Sequence, residues 1–117
     1  MTDQLAEKSC VACQKGTPPL NRAEQAELVA ALHPSWEVVQ AHHLTRTYRF
    51  ANFREALAFT NAVGAIAEAE DHHPDLLLAW GRVTVTIWTH TIDGLTESDF
   101  IFAAKCDRLE GSDSQVI

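Results

Sequence analysis

Residues 82–90 read RVTVTIWTH, and polar and apolar residues alternate strictly from Arg82 to Ile87. Val83, Val85 and Ile87 fall on one side, and Arg82, Thr84, Thr86, Trp88 and His90 on the other. Successive strand side chains point to opposite faces, so this segment needs one covered face and one open face. That demand favours an antiparallel sheet over a parallel sheet buried on both sides. DLLLAW precedes it, separated by Gly81. With Gly81-Arg82 as a two-residue turn, glycine at the first central position fits type II′. Trp80 then pairs with Val83, Leu78 with Val85 and Leu76 with Ile87, all on the core face. Continued to the strand ends, the same register sets His73 opposite His90 and gathers His72, His73 and His90 on the open, threonine-rich face.

The rest of the chain supplies a second hairpin and three helices. WEVVQAHHLTRTYRF breaks into two β-rich halves around a polar centre, which reads as a hairpin. The prolines before Asn21 and the run RAEQAELVAALHP predict a first helix, ended by Pro34. Asn52 with Glu55 three residues on resembles a capping box. Phe53, Ala56, Leu57, Val63, Ile66 and Ala67 then mark one helical face up to about Asp71. LTESDFIFAAKCDRLE predicts a last helix capped by Thr96 or Ser98. The order is α-β-β-α-β-β-α, and the expected fold class is α+β: a four-stranded antiparallel sheet with three helices on one face.

Length and composition bound what this fold can be for. The chain has 117 residues, enough for one domain with a core of its own. We read residues 1–16 as a polar lead and residues 17–117 as the single domain. Nine Lys and Arg stand against sixteen Asp and Glu, a formal charge of −7, which argues against direct contact with nucleic acid. No apolar run is long enough to span a bilayer, and MTDQLAEKSC lacks the form of a secretory signal. Three cysteines, an odd number, suit a reducing compartment, so the expected location is cytoplasmic. Cys10-x-x-Cys13 is a single knuckle where structural zinc usually takes two. We read it as part of a mobile tail that is dispensable for fold and catalysis.

The chemistry concentrates in DHHP, residues 71–74. Pro74 disfavours helical geometry at His73, so the helix before it should end at the histidine pair. Histidines at a helix C-terminus can simply complement the dipole. Adding His90 by register, with Glu68, Asp71 and Asp99 near, makes a functional cluster the better reading. His42 and His43 read as exposed turn residues, His33 as structural, and Cys106 as a small buried hydrophobe. Trp36, Trp80 and Trp88 read as core or interface aromatics.

Glu68-x3-His72-His73-Pro74, then Trp80, His90 and Asp99 at fixed spacing, resemble the signature of pterin-4a-carbinolamine dehydratases. The likeness runs from about Pro19 to Leu109 and takes in Trp36, Tyr48-Arg49-Phe50 and the Phe53 helix. It implies the same α+β fold and assembly as a homodimer or homotetramer; because the reaction it implies only redistributes protons, with no redox step, we expect no cofactor and no metal. It further implies dehydration of 4a-hydroxytetrahydropterin to quinonoid dihydropterin, which recycles the tetrahydropterin cofactor of aromatic amino-acid hydroxylases. By motif, His72, His73 and His90 are the catalytic histidines. Asp71, His72, His73, Trp88, Thr89 and His90 fall on pterin-contacting segments, with Glu68 and Asp99 as supporting carboxylates. Two positions depart from the pattern: Trp88 stands where a small polar residue is common, and Ser98 where a basic residue often precedes the aspartate.

Losing water from a carbinolamine needs one proton delivered to the leaving hydroxyl and one removed from a ring nitrogen. Such general acid–base catalysis is typically worth ~10²–10⁴-fold. A histidine cluster flanked by acids can hold an acid and a base at one pH. We assign His72 as the acid, His90 as the base and His73 to pterin binding. Two rivals stand beside this: a dimerisation module acting as a transcriptional coactivator, and a metal protein using the histidines with Asp or Glu.

Overall fold

The computed structural model describes residues 5–10 and 18–116, with side chains described through residue 109. Cys13 lies outside these residues. The elements are α1 (Arg22–Val29), β1 (Glu37–Val39), β2 (His43–Arg49), α2 (Phe53–Glu70), β3 (Asp75–Ala79), β4 (Arg82–Ile87) and α3 (Glu97–Val116). A single turn of 3₁₀ helix at His90–Ile92 lies between β4 and α3. The strands form one antiparallel sheet in the order β1-β2-β4-β3, with β2 and β4 central. This is the expected α+β architecture. No helix among the described residues is long and apolar enough to cross a membrane.

Local chemistry sets the helix starts. Asn21 accepts from the Glu24 amide and Glu24 returns the bond to the Asn21 amide, satisfying two otherwise orphaned donors. Asn52 caps α2 through the Glu55 amide. The core lies between the helices and the face carrying Leu44, Tyr48, Val83, Val85 and Ile87, all buried. On the opposite face Thr45 bonds Thr86 and Thr47 bonds Thr84 through their hydroxyls. In α2 the buried positions are Ala56, Phe59, Val63 and Ala67. Phe53 and Leu57, expected on that face, lie exposed at its margin. Phe59 fills the core instead, its ring tilted against those of Tyr48 and Phe50.

The β3–β4 register differs from expectation by two residues. Leu76 pairs with Val85, Leu78 with Val83 and Ala79 with Arg82, so Trp80 and Gly81 form the turn and Trp80 is 68% exposed. The cause lies outside the hairpin. Gly81 bonds the Phe50 amide through its carbonyl, and a Cβ at Gly81 would come within 3.1 Å of the Phe50 carbonyl. That contact at the end of β2 pins the turn. A shift of two keeps every side chain on its face, so the core assignment of Leu76 and Leu78 survives. The pairing of His73 with His90 does not: β3 begins at Asp75 and β4 ends at Ile87.

α3 is covered on nearly all sides. Asp99, Phe100, Ile101, Phe102, Ala103, Ala104 and Cys106 are all buried, as a helix packed on two sides requires. Residues 5–10, expected to belong to a mobile polar lead, are part of this packing. Leu5 and Ala6 are buried, Lys105 donates to the Ala6 carbonyl and Lys8 pairs with Glu97. The Cys10 amide donates to Glu70. A polar composition concealed two apolar residues that close the helical layer. Leu5→Ala should therefore cost about 2 kcal/mol, and removal of residues 1–16 at least as much, read as a lower denaturation midpoint. An unchanged midpoint would mean that the segment contributes no stability.

Candidate active site

The site begins where α2 ends. Asp71 takes the left-handed conformation, φ 51° and ψ 46°, and its amide and that of His72 both return to the Ala67 carbonyl. Asp tolerates this region better than most residues, and Pro74 prevents the helix from resuming. The reversal separates the histidines. The His72 side chain turns inward and is 15% exposed, whereas that of His73 is 54% exposed.

Asp99, in the first turn of α3, lies beneath His72 and is fully buried. Its Oδ1 meets His72 Nε2 at 2.6 Å. Its Oδ2 accepts from the Thr89 hydroxyl at 2.9 Å and the Thr96 amide at 2.8 Å. Thr96 is thus the residue that starts α3, and Asp99 closes a capping-box bond back to it; Ser98 lies within the helix. The helix N-terminus favours negative charge at this point. Two donors already converge on Oδ2, and with a carboxylate as its partner His72 makes the Oδ1 contact by donating from Nε2. The opposite nitrogen, Nδ1, is then the one able to exchange a proton with a ligand.

Thr89 hands the chain from β4 into the His90 turn. It bridges Gly94 in antiparallel fashion, and Asp93 between them has φ 51°. A Cβ on Gly94 would lie 2.8 Å from Pro19 Cβ, so only glycine lets the turn close against the segment before α1. Asp99 therefore joins His72 to the residue preceding His90 in a continuous set of hydrogen bonds. The expected grouping of these two histidines is approached through Asp99 and Thr89 and not through hairpin pairing.

His73 and His90 have other neighbours. His73 Nε2 meets Glu68 Oε2 at 2.6 Å on the surface, where an ion pair contributes little stability. His90 is exposed, with its ring 4.4 Å from Trp88. Trp88 also meets His42 at 5.2 Å and His43 at 6.0 Å. These two histidines, expected to be idle turn residues, are half-buried partners of Trp88, and His43 belongs to β2. Only the β2–β4 pairing, between strands of different hairpins, brings them there, and no local pattern reports it. Asp71 contributes its backbone reversal.

Cys10 is not set up as a thiolate. Burial first, then the Glu70 charge, pushes its thiol up to about 12, and Sγ donates to the Ser98 carbonyl. Among the described residues no three His, Cys, Asp or Glu side chains converge as metal ligands would.

Residues 18–109 match the model of the family described as pterin 4 alpha carbinolamine dehydratase. A relative from Rubrobacter xylanophilus is 59% identical over 106 residues, covering 91% of this chain and 98% of its own. One from Alkaliphilus metalliredigens is 54% identical over 91% of this chain and 96% of its own. Both carry the provisional name pterin-4-alpha-carbinolamine dehydratase. A crystal structure of a Brucella melitensis protein described as a transcriptional coactivator/pterin dehydratase superposes with a TM-score of 0.74 at 34% identity, covering 79% of this chain and 98% of that one. A pterin dehydratase-like protein identified as a RuBisCO assembly factor in the alpha-carboxysome gives a TM-score of 0.59 at 28% identity, covering 68% and 93%. With its sequence matched from before α1 into α3 and its fold matched as well, the chain belongs to the pterin 4 alpha carbinolamine dehydratase family.

Proposed function

We propose that this protein is a hydro-lyase that dehydrates 4a-hydroxytetrahydropterin to quinonoid dihydropterin, returning the tetrahydropterin cofactor of aromatic amino-acid hydroxylases to its cycle. The observation that carries the reading is the buried Asp99 carboxylate, which holds His72 on one oxygen and the Thr89 segment leading to His90 on the other. Family membership supplies the substrate class.

The reaction breaks the bond between carbon 4a and its hydroxyl and removes the hydrogen of the adjacent ring nitrogen. A carbon–nitrogen double bond forms and water leaves; no electrons enter or depart. His72, held through Nε2, offers a proton at Nδ1 to the leaving hydroxyl. His90, with a solvent-reachable ring, takes the proton from nitrogen, and His73, fixed by Glu68, contacts the pterin. An aspartate that orients an imidazole and supports its charged form serves the same purpose in hydrolase triads. We further take the protein to work in the cytoplasm as a homodimer or homotetramer, without a cofactor or metal. The rival reading as a coactivator module would leave the Asp99–His72 contact without a task.

Consumption of chemically generated 4a-hydroxytetrahydropterin should run well above the uncatalysed rate, and dialysis against a strong chelator should leave it unchanged. A rate equal to the uncatalysed one would overturn the activity. Loss on chelation, restored by one metal, would overturn the metal-free mechanism.

A further inference from the structure

Beside the Asp99 network lies a second hydrogen-bonded series that this reaction scheme does not use. Asp93 Oδ1 meets His42 Nε2 at 2.7 Å, and His42 Nδ1 meets His43 Nδ1 at 3.1 Å. The two imidazoles stand edge to face, 5.3 Å apart. Trp88 contacts both, and its other close ring neighbour is His90 at 4.4 Å. His43 and His90 thus flank one indole on the open face of the sheet.

The backbone around this series is unusual. Gln40 and Ala41 have φ of 54° and 56°, and Asp93 has φ of 51°. The hairpin turn before His42 is left-handed at both central positions without a glycine or asparagine, the residues such turns favour. Outliers of this kind persist where surrounding structure over-determines them. Here they bring His42 and Asp93 together from separate turns.

The proton order follows from the partners. Asp93 accepts, so His42 carries hydrogen on Nε2. With both rings neutral, His42 Nδ1 is an acceptor and His43 must donate from its own Nδ1. His43 Nε2 is then a lone pair with no hydrogen-bond partner among the described residues. Burial, and then the proximity of His42, hold His43 below the usual histidine range, which favours its neutral form.

We propose that Asp93, His42 and His43 form a relay that presents His43 Nε2 as a hydrogen-bond acceptor for a flat nitrogen heterocycle held beside Trp88 and His90. This rests on the dehydratase reading, in which the ligand is a pterin and the bonded edge is its amino and ring N–H side. His43 is then a binding and specificity residue, and Asp93 and His42 position it. The Trp88 ring meets both His42 and His43, at 5.2 and 6.0 Å, and so props the relay from the open face of the sheet.

The test joins kinetics to imidazole NMR on the full chain. In His43→Ala, KM for the 4a-hydroxytetrahydropterin should rise about tenfold, the worth of one good hydrogen bond, with kcat within about threefold. His43→Gln, which sets an amide oxygen near the Nε2 position, should recover most of the loss. Nitrogen-15 spectra should show His42 protonated at Nε2 and His43 at Nδ1, and Asp93→Asn should disturb both signals. Unchanged KM in His43→Ala, or His43 protonated at Nε2, would overturn the subsite while leaving the dehydratase reading intact. Absence of turnover by the unaltered protein would overturn both.

Discussion

Asp107→Ala should lower the stability of this protein by about 3–5 kcal/mol, the usual consequence of removing one partner of a buried ion pair. The Asp107 carboxylate, on α3, receives the Arg46 guanidinium, the Tyr48 hydroxyl at 2.7 Å and the Trp36 indole N–H at 2.9 Å. The Arg46 and Asp107 side chains are only 5% and 8% exposed. The guanidinium lies 4.1 Å above the Tyr48 ring, and burial with the Asp107 charge holds the Tyr48 phenol far above its usual range. Taking away the carboxylate removes the acceptor that the guanidinium, the Tyr48 hydroxyl and the Trp36 N–H share out of reach of water. For a chain of this size the melting temperature should fall by roughly 10–25 °C. Replacing both members, Arg46→Met with Asp107→Leu, should recover much of that loss, because no buried charge then remains. Thermal unfolding followed by circular dichroism decides it. A shift of a few degrees for the single replacement would mean that water reaches the cluster.

Asp99→Asn should have the largest effect on turnover while leaving the fold in place. The amide can keep its oxygen toward the Thr96 amide and the Thr89 hydroxyl. Its NH₂ then faces His72 Nε2, where the carboxylate had accepted. Two donors cannot share that contact, so His72 must move its hydrogen to Nδ1 and offer Nε2 as acceptor. Nδ1 then carries a hydrogen only as part of a neutral ring, a far weaker acid than the doubly protonated imidazole that a carboxylate at Nε2 supports. A loss of about 10²–10⁴-fold in kcat is expected, with the far-ultraviolet spectrum unchanged. Nitrogen-15 spectra should show the inverted tautomer. Full turnover with an inverted tautomer would remove His72 from the acid role.

The residues that follow local rules were legible before the structure. The alternation at 82–90 placed Val83, Val85 and Ile87 in the core, and Asn21, Asn52 and Pro74 marked helix ends, because these depend on a few neighbouring positions. What depended on distant partners was not. Arg46 shares the core face with Tyr48 because Asp107, sixty-one positions on, receives it. Gly81 sits where it does because Phe50 bonds it, which moved the register by two and removed the predicted His73–His90 pair. His42 and His43 gained neighbours only when β2 met β4 across two hairpins. Leu5 and Ala6 were hidden in a polar segment whose packing partner lies at the far end of the chain. The histidines and Asp99 were found by motif, whereas their connection through Thr89 needed coordinates.

The most direct measurement is a double-mutant cycle on turnover of 4a-hydroxytetrahydropterin, using His72→Ala, His90→Ala and the two together. Groups that serve one transition state lose rate non-additively, because the first removal already forfeits most of the shared effect. Each single replacement should cut kcat by about 10²-fold or more, and the double should fall only slightly further, with all three proteins folded by circular dichroism. Small losses that simply add would show that His72 and His90 do not act together, and the account of Asp99 as the joint between them would be wrong.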